Sequence, residues 1–306
     1  MKPFKILPFL LSGLLFMAII ACKKETSASL TPGEKQNFAT TTGKAEADAS
    51  TFFDDIFDNA VGVNSTVALG GTGVFGNFYS QAYSAQTTLN STETNNIQIP
   101  HCYSVSTSYP DSPALFPVRV AINFGDSCTA ADGRTRSGQI IIVYTGRLVE
   151  PGNSATISFL NYYVNHVHIE GSVSLKNTSP QGGRSFRLQV TGGKITRPNG
   201  DLLSWDRQMD IVQTAGLETP LIAIDDAFQI TGQGSGTIQS NNTLYQWSNI
   251  ISNPLLKRFS CHYIESGTIQ INRGTETIAT LDFGQGNCDN QATISIDGQV
   301  HEISLD

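Results

Sequence analysis

Two histidines and a glutamate occupy alternate positions in the segment His166-Val167-His168-Ile169-Glu170. Alternate side chains of a β-strand point to the same face of a sheet, so these three polar side chains are expected to share one face. Imidazole nitrogens and carboxylate oxygens bind zinc, which needs three or four such ligands. The segment raises the hypothesis of a metal site at His166 and His168, with further ligands such as His301 from another strand. A solvated strand face explains the same pattern and is the simpler interpretation.

Aromatic side chains form a second group with a chemical use, because a flat array of exposed rings can bind sugars by stacking. The strand-rich part of the chain contains Tyr162, Tyr163, Trp205, Tyr245 and Trp247. Trp205 is separated from Leu203 and Met209 by even numbers of residues, so in a strand it lies on the same apolar face and in the core. Tyr163 and Tyr245 are left as the binding candidates that we expect to be exposed.

Other motifs match catalytic or binding patterns without the required context. The stretch GTGVFG, residues 71–76, has the spacing of a dinucleotide fingerprint, but a polar loop sequence follows it instead of a helix. Ser235 in GQGSGT lacks the flanking residues of a nucleophile elbow, and the adjacent Asp225 and Asp226 would point to opposite faces of a strand. The stretch GDSCTAADGR, residues 125–134, fits no known calcium loop. The sequence therefore predicts no catalytic residue, no cofactor and a protein that is not an enzyme.

Four cysteines lie in two similar stretches, residues 101–145 and 261–305, which we interpret as a weak twofold repeat. The first copy starts with His-Cys-Tyr and the second with Cys-His-Tyr, and in both a Phe-Gly pair and a second cysteine follow, at separations of 26 and 27 residues between the cysteines. An even number of cysteines in an oxidising compartment indicates disulfides. The repeat favours Cys102 with Cys128 and Cys261 with Cys288. Pairing between the copies remains open, and a zinc site that uses the neighbouring histidines matches no finger spacing.

Alternating apolar and polar residues predict antiparallel strands through most of the chain, most clearly in residues 166–175 and 186–191. Turn sequences such as Arg197-Pro198-Asn199-Gly200 and Asp297-Gly298 separate these segments. We therefore predict an all-β fold, a large antiparallel meander of about a dozen strands with one short N-terminal helix. The meander would be folded over as a sandwich or curled into a half-barrel.

The residues ahead of the predicted sheet have two different compositions. Residues 22–45 contain almost no aliphatic side chains, and we expect them to form a disordered tether. Between Phe53 and Ala60 the apolar residues recur at helical spacing, which predicts a short amphipathic helix. The acidic residues Asp54, Asp55 and Asp58 are expected on its solvated face, in preference to a metal site.

The N-terminus has the features of an export signal. Lys2 and Lys5 precede an apolar stretch that is too short to span a bilayer comfortably, so residues 1–21 are interpreted as a signal peptide. The tetrapeptide Ile19-Ile20-Ala21-Cys22 resembles the lipobox of bacterial lipoproteins, which implies lipidation of Cys22. Since each buried CH₂ contributes roughly 0.8 kcal/mol, two or three acyl chains would hold the protein firmly to a membrane. Residues 46–306 would then form the folded β domain.

Charge excludes one class of partner. After removal of the signal peptide with Lys2 and Lys5, the chain contains 17 Lys and Arg residues and 26 Asp and Glu residues. The processed chain is therefore acidic, and it lacks the excess of positive charge with which proteins bind nucleic acid. Charged residues make up only 15% of the chain, as in exported β-proteins whose surfaces are polar without being ionic.

Several longer stretches are distinctive: FGDSC, FGQGNCDNQATISIDG, YTGRLVEPGNSATISFLNYYVNHVHIEG and ITRPNGDLLSWDR. Together with the lipobox they resemble a family of uncharacterised Bacteroidota lipoproteins, over roughly two thirds of the chain. The resemblance implies a lipid-tethered β domain at the cell envelope, on the periplasmic or the surface face of the outer membrane. It brings no activity with it.

Two functional hypotheses follow. The first is a non-catalytic envelope protein that binds a glycan or protein partner, or organises the surface, through the polar face of its sheet. The second is a carrier that holds a lipid or other apolar ligand on a curved apolar face. They differ in whether Ile169, Val173, Phe186 and Leu188 are buried under a second layer or line an open cavity. In both, the lipid anchor is the only membrane contact.

Overall fold

The computed structural model describes residues 30–75, 102–130, 133–180, 184–219 and 222–305. The predicted signal peptide, Cys22, the first part of the predicted tether and His101 lie outside the described residues. Within these residues, one long helix precedes fourteen strands.

The helix α1 comprises Pro32–Gly62. The strands are β1 (Ser104–Ser108), β2 (Val118–Asn123), β3 (Cys128–Thr129), β4 (Thr135–Tyr144), β5 (Ser154–Val164), β6 (Val167–Asn177), β7 (Ser185–Thr196), β8 (Leu202–Ala215), β9 (Ala227–Ser240), β10 (Thr243–Arg258), β11 (Ser266–Arg273), β12 (Glu276–Gln285), β13 (Gln291–Ile296) and β14 (Gln299–Ser304).

All fourteen strands belong to one open antiparallel sheet. Its order follows the chain from β1 to β14, except that β2 pairs with β4 and the short β3 pairs with β4 alone. Such a meander needs only local hairpin connections, which the turn sequences supply. The predicted all-β meander with a single helix is confirmed for the described residues, but the helix has 31 residues and is not the short one that was predicted.

Helix α1 starts earlier than expected, at Pro32, so the prediction of a disordered tether through Ala45 is wrong from that residue onward. The helix begins with a capping box. Thr31 accepts a hydrogen bond from the backbone N–H of Glu34, and the Glu34 carboxylate accepts one from the backbone N–H of Thr31. These bonds satisfy two donors that a helix N-terminus leaves without partners, and Pro32 suits the first helical position.

The sheet curls around α1 and encloses it. Every residue from Ala45 to Gly62 is buried, and side chains from both ends of the strand order reach the helix. Tyr144 of β4 donates a hydrogen bond to the backbone oxygen of Ala60 at 2.6 Å, and Ile294 of β13 lies against Gly43, where a Cβ atom would overlap it. The helix therefore fills the interior of a half-barrel, and it is not the amphipathic surface helix that the sequence predicted.

The core is a continuous apolar cluster of helix and sheet residues. The rings of Phe53 and Trp205 lie 4.8 Å apart, and Phe57 packs against Phe186, Phe228 and Phe259 at 5.8–6.0 Å between ring centroids. The residues that separate the two functional hypotheses are all buried: Ile169, Val173, Phe186 and Leu188. The curved apolar face is thus covered by α1.

The two copies of the predicted repeat share a local geometry. In each, a buried phenylalanine precedes a glycine with positive φ, Gly125 or Gly284. The glycine N–H donates to the side chain two residues earlier, at 2.9 Å from Asn123 in one copy and 2.9 Å from Asp282 in the other. Disulfides join Cys102 to Cys128 and Cys261 to Cys288, the pairing that the repeat favoured.

Among the residues that the structure describes, no helix combines the length and the apolar character needed to cross a membrane.

Candidate functional site

Strand β9 has glycine at three alternate positions, Gly232, Gly234 and Gly236. They have the same parity as the buried Phe228 and Ile230, so all three face the helix. A Cβ atom on Gly236 would overlap the indole of Trp247, and one on Gly234 would lie 3.1 Å from Cγ of Arg207. The missing side chains leave space for large residues of the neighbouring strands to lie over β9.

Four such residues converge on one helix carboxylate. Trp205 of β8 and Trp247 of β10 both pair with Gly236, while Arg207 and Asn249 both pair with Gly234. All four donate hydrogen bonds to Glu46: Trp205 Nε1 at 3.1 Å, Trp247 Nε1 at 3.1 Å and Asn249 Nδ2 at 2.7 Å to Oε2, and Arg207 Nη1 at 2.7 Å to Oε1.

Glu46 and Arg207 are both buried. A buried ion pair needs further hydrogen bonds to offset the cost of removing two charges from water, and the two indoles and the Asn249 amide supply them to Glu46. This cluster fixes the positions of β8, β9 and β10 relative to the helix.

Three further buried carboxylates of α1 are paired with cations on or next to strands of the sheet. Asp55 lies 2.8 Å from Arg136 and 3.2 Å from Arg134. Lys257 contacts both Asp54 and Asp58, at 2.9 and 3.0 Å. The prediction of a solvated acidic face is therefore wrong: these side chains are buried, and the cations that neutralise them come from distant strands.

The pKa values of these carboxyl groups diverge. Burial raises the pKa of Asp58 to about 8 against the opposing effect of Lys257, and the Asp54 carboxylate adds to the rise. Burial also raises the pKa of Asp54. Burial would raise the pKa of Asp55 as well, but Arg136 and Arg134 hold it below its usual value.

The outer face of the same strands carries a ladder of amides. Gln189 of β7 lies directly opposite Gln208 of β8, which in turn lies opposite Gln233 of β9. Directly opposite residues have Cβ atoms roughly 4.5–5.5 Å apart, so the three side chains form a continuous row. All three are exposed, and they have no hydrogen-bond partner among the described side chains.

A second polar row runs beside the first. Asp206, Ser235, Ser248 and Asn272 follow one another in register across β8, β9, β10 and β11. Both rows line a depression of about 670 Å³ on the outer face. The carboxylate of Asp206 accepts a hydrogen bond from the backbone N–H of Gly192 at 2.6 Å.

A further cleft, of about 840 Å³, adjoins this depression and shares Ser235 and Ser248 with it. It lies between the first turns of α1, the start of β10 and the turn after β11. Tyr245, which lies on the same face of β10 as Trp247 and therefore towards α1, forms part of its wall. The Tyr245 hydroxyl accepts a hydrogen bond from Asn37 Nδ2 at 2.7 Å, and its ring packs edge-on against Phe38 at 6.1 Å. We call the depression and the cleft together the outer groove.

The outer groove has little net charge. Its charged lining residues are Glu34, Asp206, Arg207 and Arg273. Arg207 is neutralised by Glu46 on the inner face, and Arg273 interacts electrostatically with Glu34. Most other polar lining groups are amides and hydroxyls, which both donate and accept hydrogen bonds. The groove is therefore suited to an uncharged polar ligand.

Comparison with known proteins gives no matching family model and no significant match among curated proteins or solved structures. The geometry of the site must carry the functional argument.

The structure separates the predicted binding tyrosines. Tyr245 lies in the outer groove, half-buried. Tyr163 is exposed on β5, where its ring stacks on His168 at 4.5 Å between centroids and an interplanar angle of 19°. Tyr163 also lines a separate small cleft of about 290 Å³ with His166 and Asp126.

The predicted metal site does not have the expected geometry. Asn165 and His166 have φ values of 48° and 67° in the tight turn between β5 and β6, so His166 precedes the strand and does not share its alternation. His168 Nδ1 lies 3.7 Å from Glu170. Among the described residues the one group with metal-ligand spacing is Cys261, Glu265 and Cys288, whose cysteines form a disulfide.

The remaining motifs have structural partners. Gly73–Phe75 form a short 3₁₀ turn in which the backbone N–H of Val74 donates to Asn59 of the helix at 2.8 Å. Asp225 accepts from the Thr219 hydroxyl at 2.6 Å, and the buried Asp226 pairs with Arg184 at 3.2 Å. Burial raises the pKa of Asp226 to about 7.

Sequence reasoning missed the outer groove and the Glu46 cluster beneath it. One signal was present: glycine at alternate positions of a strand, in GQGSG, indicates a close approach of other groups to the backbone. The same stretch contains Ser235, whose side chain lies on the opposite face, in the groove.

Proposed function

We propose that this protein is a lipid-anchored, non-catalytic binding module of the cell envelope, attached to the outer membrane through Cys22, and that it binds a polar partner in the outer groove. The observation that carries the proposal is the pair of uninterrupted polar rows on the outer face, built on strands that the Glu46 cluster holds rigidly in place.

The inner face argues against the carrier alternative. A carrier needs an open apolar cavity, but α1 covers the curved apolar face, and the residues expected to line such a cavity are buried in the core. The outer face is therefore the surface that we assign to binding.

Two features of the groove favour binding over catalysis. Its exposed polar groups are mainly amides and hydroxyls, which are poor acids and bases near neutral pH. Its exposed carboxylates, Glu34 and Asp206, each accept a hydrogen bond from a backbone N–H, and both groups serve local structure.

The anchor is tested by labelling cells with a radioactive fatty acid while they express the wild-type chain or the variant Cys22→Ser. The proposal predicts label and membrane retention for the wild type, and release of unlabelled protein for the variant. Membrane retention of an unlabelled wild type would contradict it.

Binding is tested by incubating the released Cys22→Ser protein with isolated cell envelopes and measuring co-sedimentation. Adding Gln208→Ala and Gln233→Ala should abolish co-sedimentation, whereas adding Gln229→Ala, on the outer face of β9 away from the groove, should not. Native mass spectrometry of the same protein tests the alternative function, a carrier of an apolar ligand. A mass above that of the polypeptide, lost on extraction with organic solvent, would favour the carrier.

A further inference from the structure

We infer that the ligand of the outer groove is an uncharged oligosaccharide chain. This inference rests on the proposed binding function and specifies the class of partner. It is argued from the backbone pairing under the groove, from the shape of the groove and from the chemistry of its lining.

The backbone under the depression is not available to a ligand, although in the adjoining cleft residues 243–247 of β10 pair only with β9. Gly234 pairs with both Arg207 and Asn249, and Ser235 pairs with both Asp206 and Ser248, so the floor is a continuous ladder. An extended peptide that docks by strand addition needs an open sheet edge and its free N–H and C=O groups. At this interior position recognition depends on side chains alone, which disfavours a peptide.

The groove is long enough for a chain of several sugar rings. Its lining crosses five adjacent strands, β7 to β11. At a spacing of roughly 4.8 Å between paired strands, four steps span about 19 Å. The adjoining Tyr245 cleft extends this path, because Ser235 and Ser248 line both parts. An elongated shallow groove fits a linear polymer better than a compact small molecule.

The lining chemistry matches sugar hydroxyls. A hydroxyl both donates and accepts, and so does a glutamine or asparagine amide. Gln189, Gln208, Gln233 and Asn272 place such amides along the groove, with Ser235 and Ser248 between them. Because the few charged groups of the groove are paired or locally bonded, a strongly anionic polymer finds no excess of cations.

The Tyr245 end supplies the apolar contact that sugar rings use. The C–H face of a sugar ring packs on aromatic and aliphatic surfaces, which contributes through burial of apolar area. Tyr245 is half-buried in the cleft wall, on the face of β10 that carries Trp247, and its hydroxyl accepts a hydrogen bond from Asn37. We assign Tyr245 to the ring-packing end of the site and the glutamine ladder, on the other face of the sheet, to the hydroxyl-binding part.

The test uses the purified full-length protein in detergent on an array of soluble uncharged hexose and pentose oligosaccharides of varied linkage, together with oligosaccharides of uronic acids and a set of unstructured peptides. We expect binding to one or more uncharged oligosaccharides of at least four sugar units, with affinity that increases with chain length. Binding confined to uronic acid oligomers or to peptides, or no binding to any uncharged oligosaccharide, would overturn the inference.

Affinities for the best uncharged oligosaccharide are then measured by calorimetry. The variant Gln208→Ala/Gln233→Ala should bind at least about tenfold more weakly, as expected for the loss of two hydrogen-bonding side chains. Tyr245→Leu should also weaken binding, and Gln229→Ala should bind like the wild type. Near-ultraviolet circular dichroism checks that each variant is folded.

The two proposals fail in different ways. If the Gln208/Gln233 variant loses co-sedimentation with envelopes but the wild type binds no uncharged oligosaccharide, the binding function stands and the glycan inference is wrong. If oligosaccharides bind and the double variant and the control bind equally well, the groove is not the site.

Discussion

Trp205 and Trp247, the two tryptophans of the chain, donate from their indole nitrogens to the same oxygen of Glu46, each at 3.1 Å. They come from β8 and β10 and meet across Gly236 of β9, which pairs with both. The three strands that this contact holds together also carry Gln208, Gln233 and Ser248 on the other face. The inner cluster thus supports the outer groove.

Replacing Glu46 should destabilise the fold strongly. The variant Glu46→Gln leaves the Arg207 charge buried without its partner, and removing one member of a buried pair typically costs about 3–5 kcal/mol. Urea unfolding followed by tryptophan fluorescence measures the loss and also reports a change in indole environment. The matched control is Glu276→Gln, whose exposed carboxylate lies 3.9 Å from Lys35 Nζ, a long distance for an ion pair. It should change the free energy of unfolding by less than about 1 kcal/mol.

Gly236→Ala tests the space that β9 leaves for Trp247. The added methyl group would overlap the indole ring of Trp247. We expect the free energy of unfolding to fall by about 1–3 kcal/mol, because the indole must move away from Glu46. Gly33→Ala is the matched control, since a Cβ atom there meets nothing within 4 Å; it should be neutral or slightly stabilising. Equal thermal midpoints for both variants would contradict the packing argument.

The raised pKa of Asp58 predicts a dependence of stability on pH. Its pKa is about 8 in the folded protein against a usual value of 3.8, so between these values the folded state binds more protons than the unfolded state. The free energy of unfolding contributed by Asp58 therefore falls as pH rises from 3.8 to about 8. Asp226, whose pKa is raised to about 7, acts in the same direction.

Asp58→Asn should flatten this slope. We expect the stability difference between wild type and variant to decrease by up to about 1.4 kcal/mol per pH unit over that interval, measured by urea unfolding at several pH values. Asp210→Asn, on the surface beside Arg187, should run parallel to the wild type. A constant difference between wild type and Asp58→Asn would show that Asp58 does not titrate there.

Each disulfide should stabilise the fold by a similar amount. The closed loops contain nearly equal numbers of residues, with separations of 26 and 27, and the chain-entropy relation gives roughly 3.5 kcal/mol for each. The paired variants Cys102→Ser/Cys128→Ser and Cys261→Ser/Cys288→Ser should therefore lower the free energy of unfolding by comparable amounts. An intact mass lower than that of the reduced chain by four hydrogen atoms, two for each bond, confirms that both bonds form in the wild type.

The sheet could be predicted from the sequence because its signals are local. Alternation in residues such as Val173 and Leu175, and turn pairs such as Asp297-Gly298, depend only on neighbouring residues, and the structure confirms the strands and turns that they predict. The cysteine pairing also followed from a pattern of short range, the repeated Phe-Gly stretch before Cys128 and Cys288.

The helix interior could not be predicted in this way. An aspartate such as Asp55 is normally solvated, and its burial depends on Arg136, 81 residues further along the chain. Local composition around Ala45 also suggested disorder, although the capping box at Thr31 and Glu34 was a readable start signal. The outer groove likewise depends on the register of five strands, which single segments do not reveal.

The enclosed position of α1 has a consequence for how the chain folds. The helix precedes all fourteen strands, yet its contact with Trp247 joins residues 201 positions apart. Contacts of such long range make folding slow, because loop closure must precede the stabilising interactions. Five carboxylates of the helix are buried, and two of them, Asp54 and Asp58, find their ion-pair partner only when Lys257 of β10 is in place. Folding is therefore expected to be a late, cooperative event that begins after most of the chain is present, with helix formation and sheet closure occurring together.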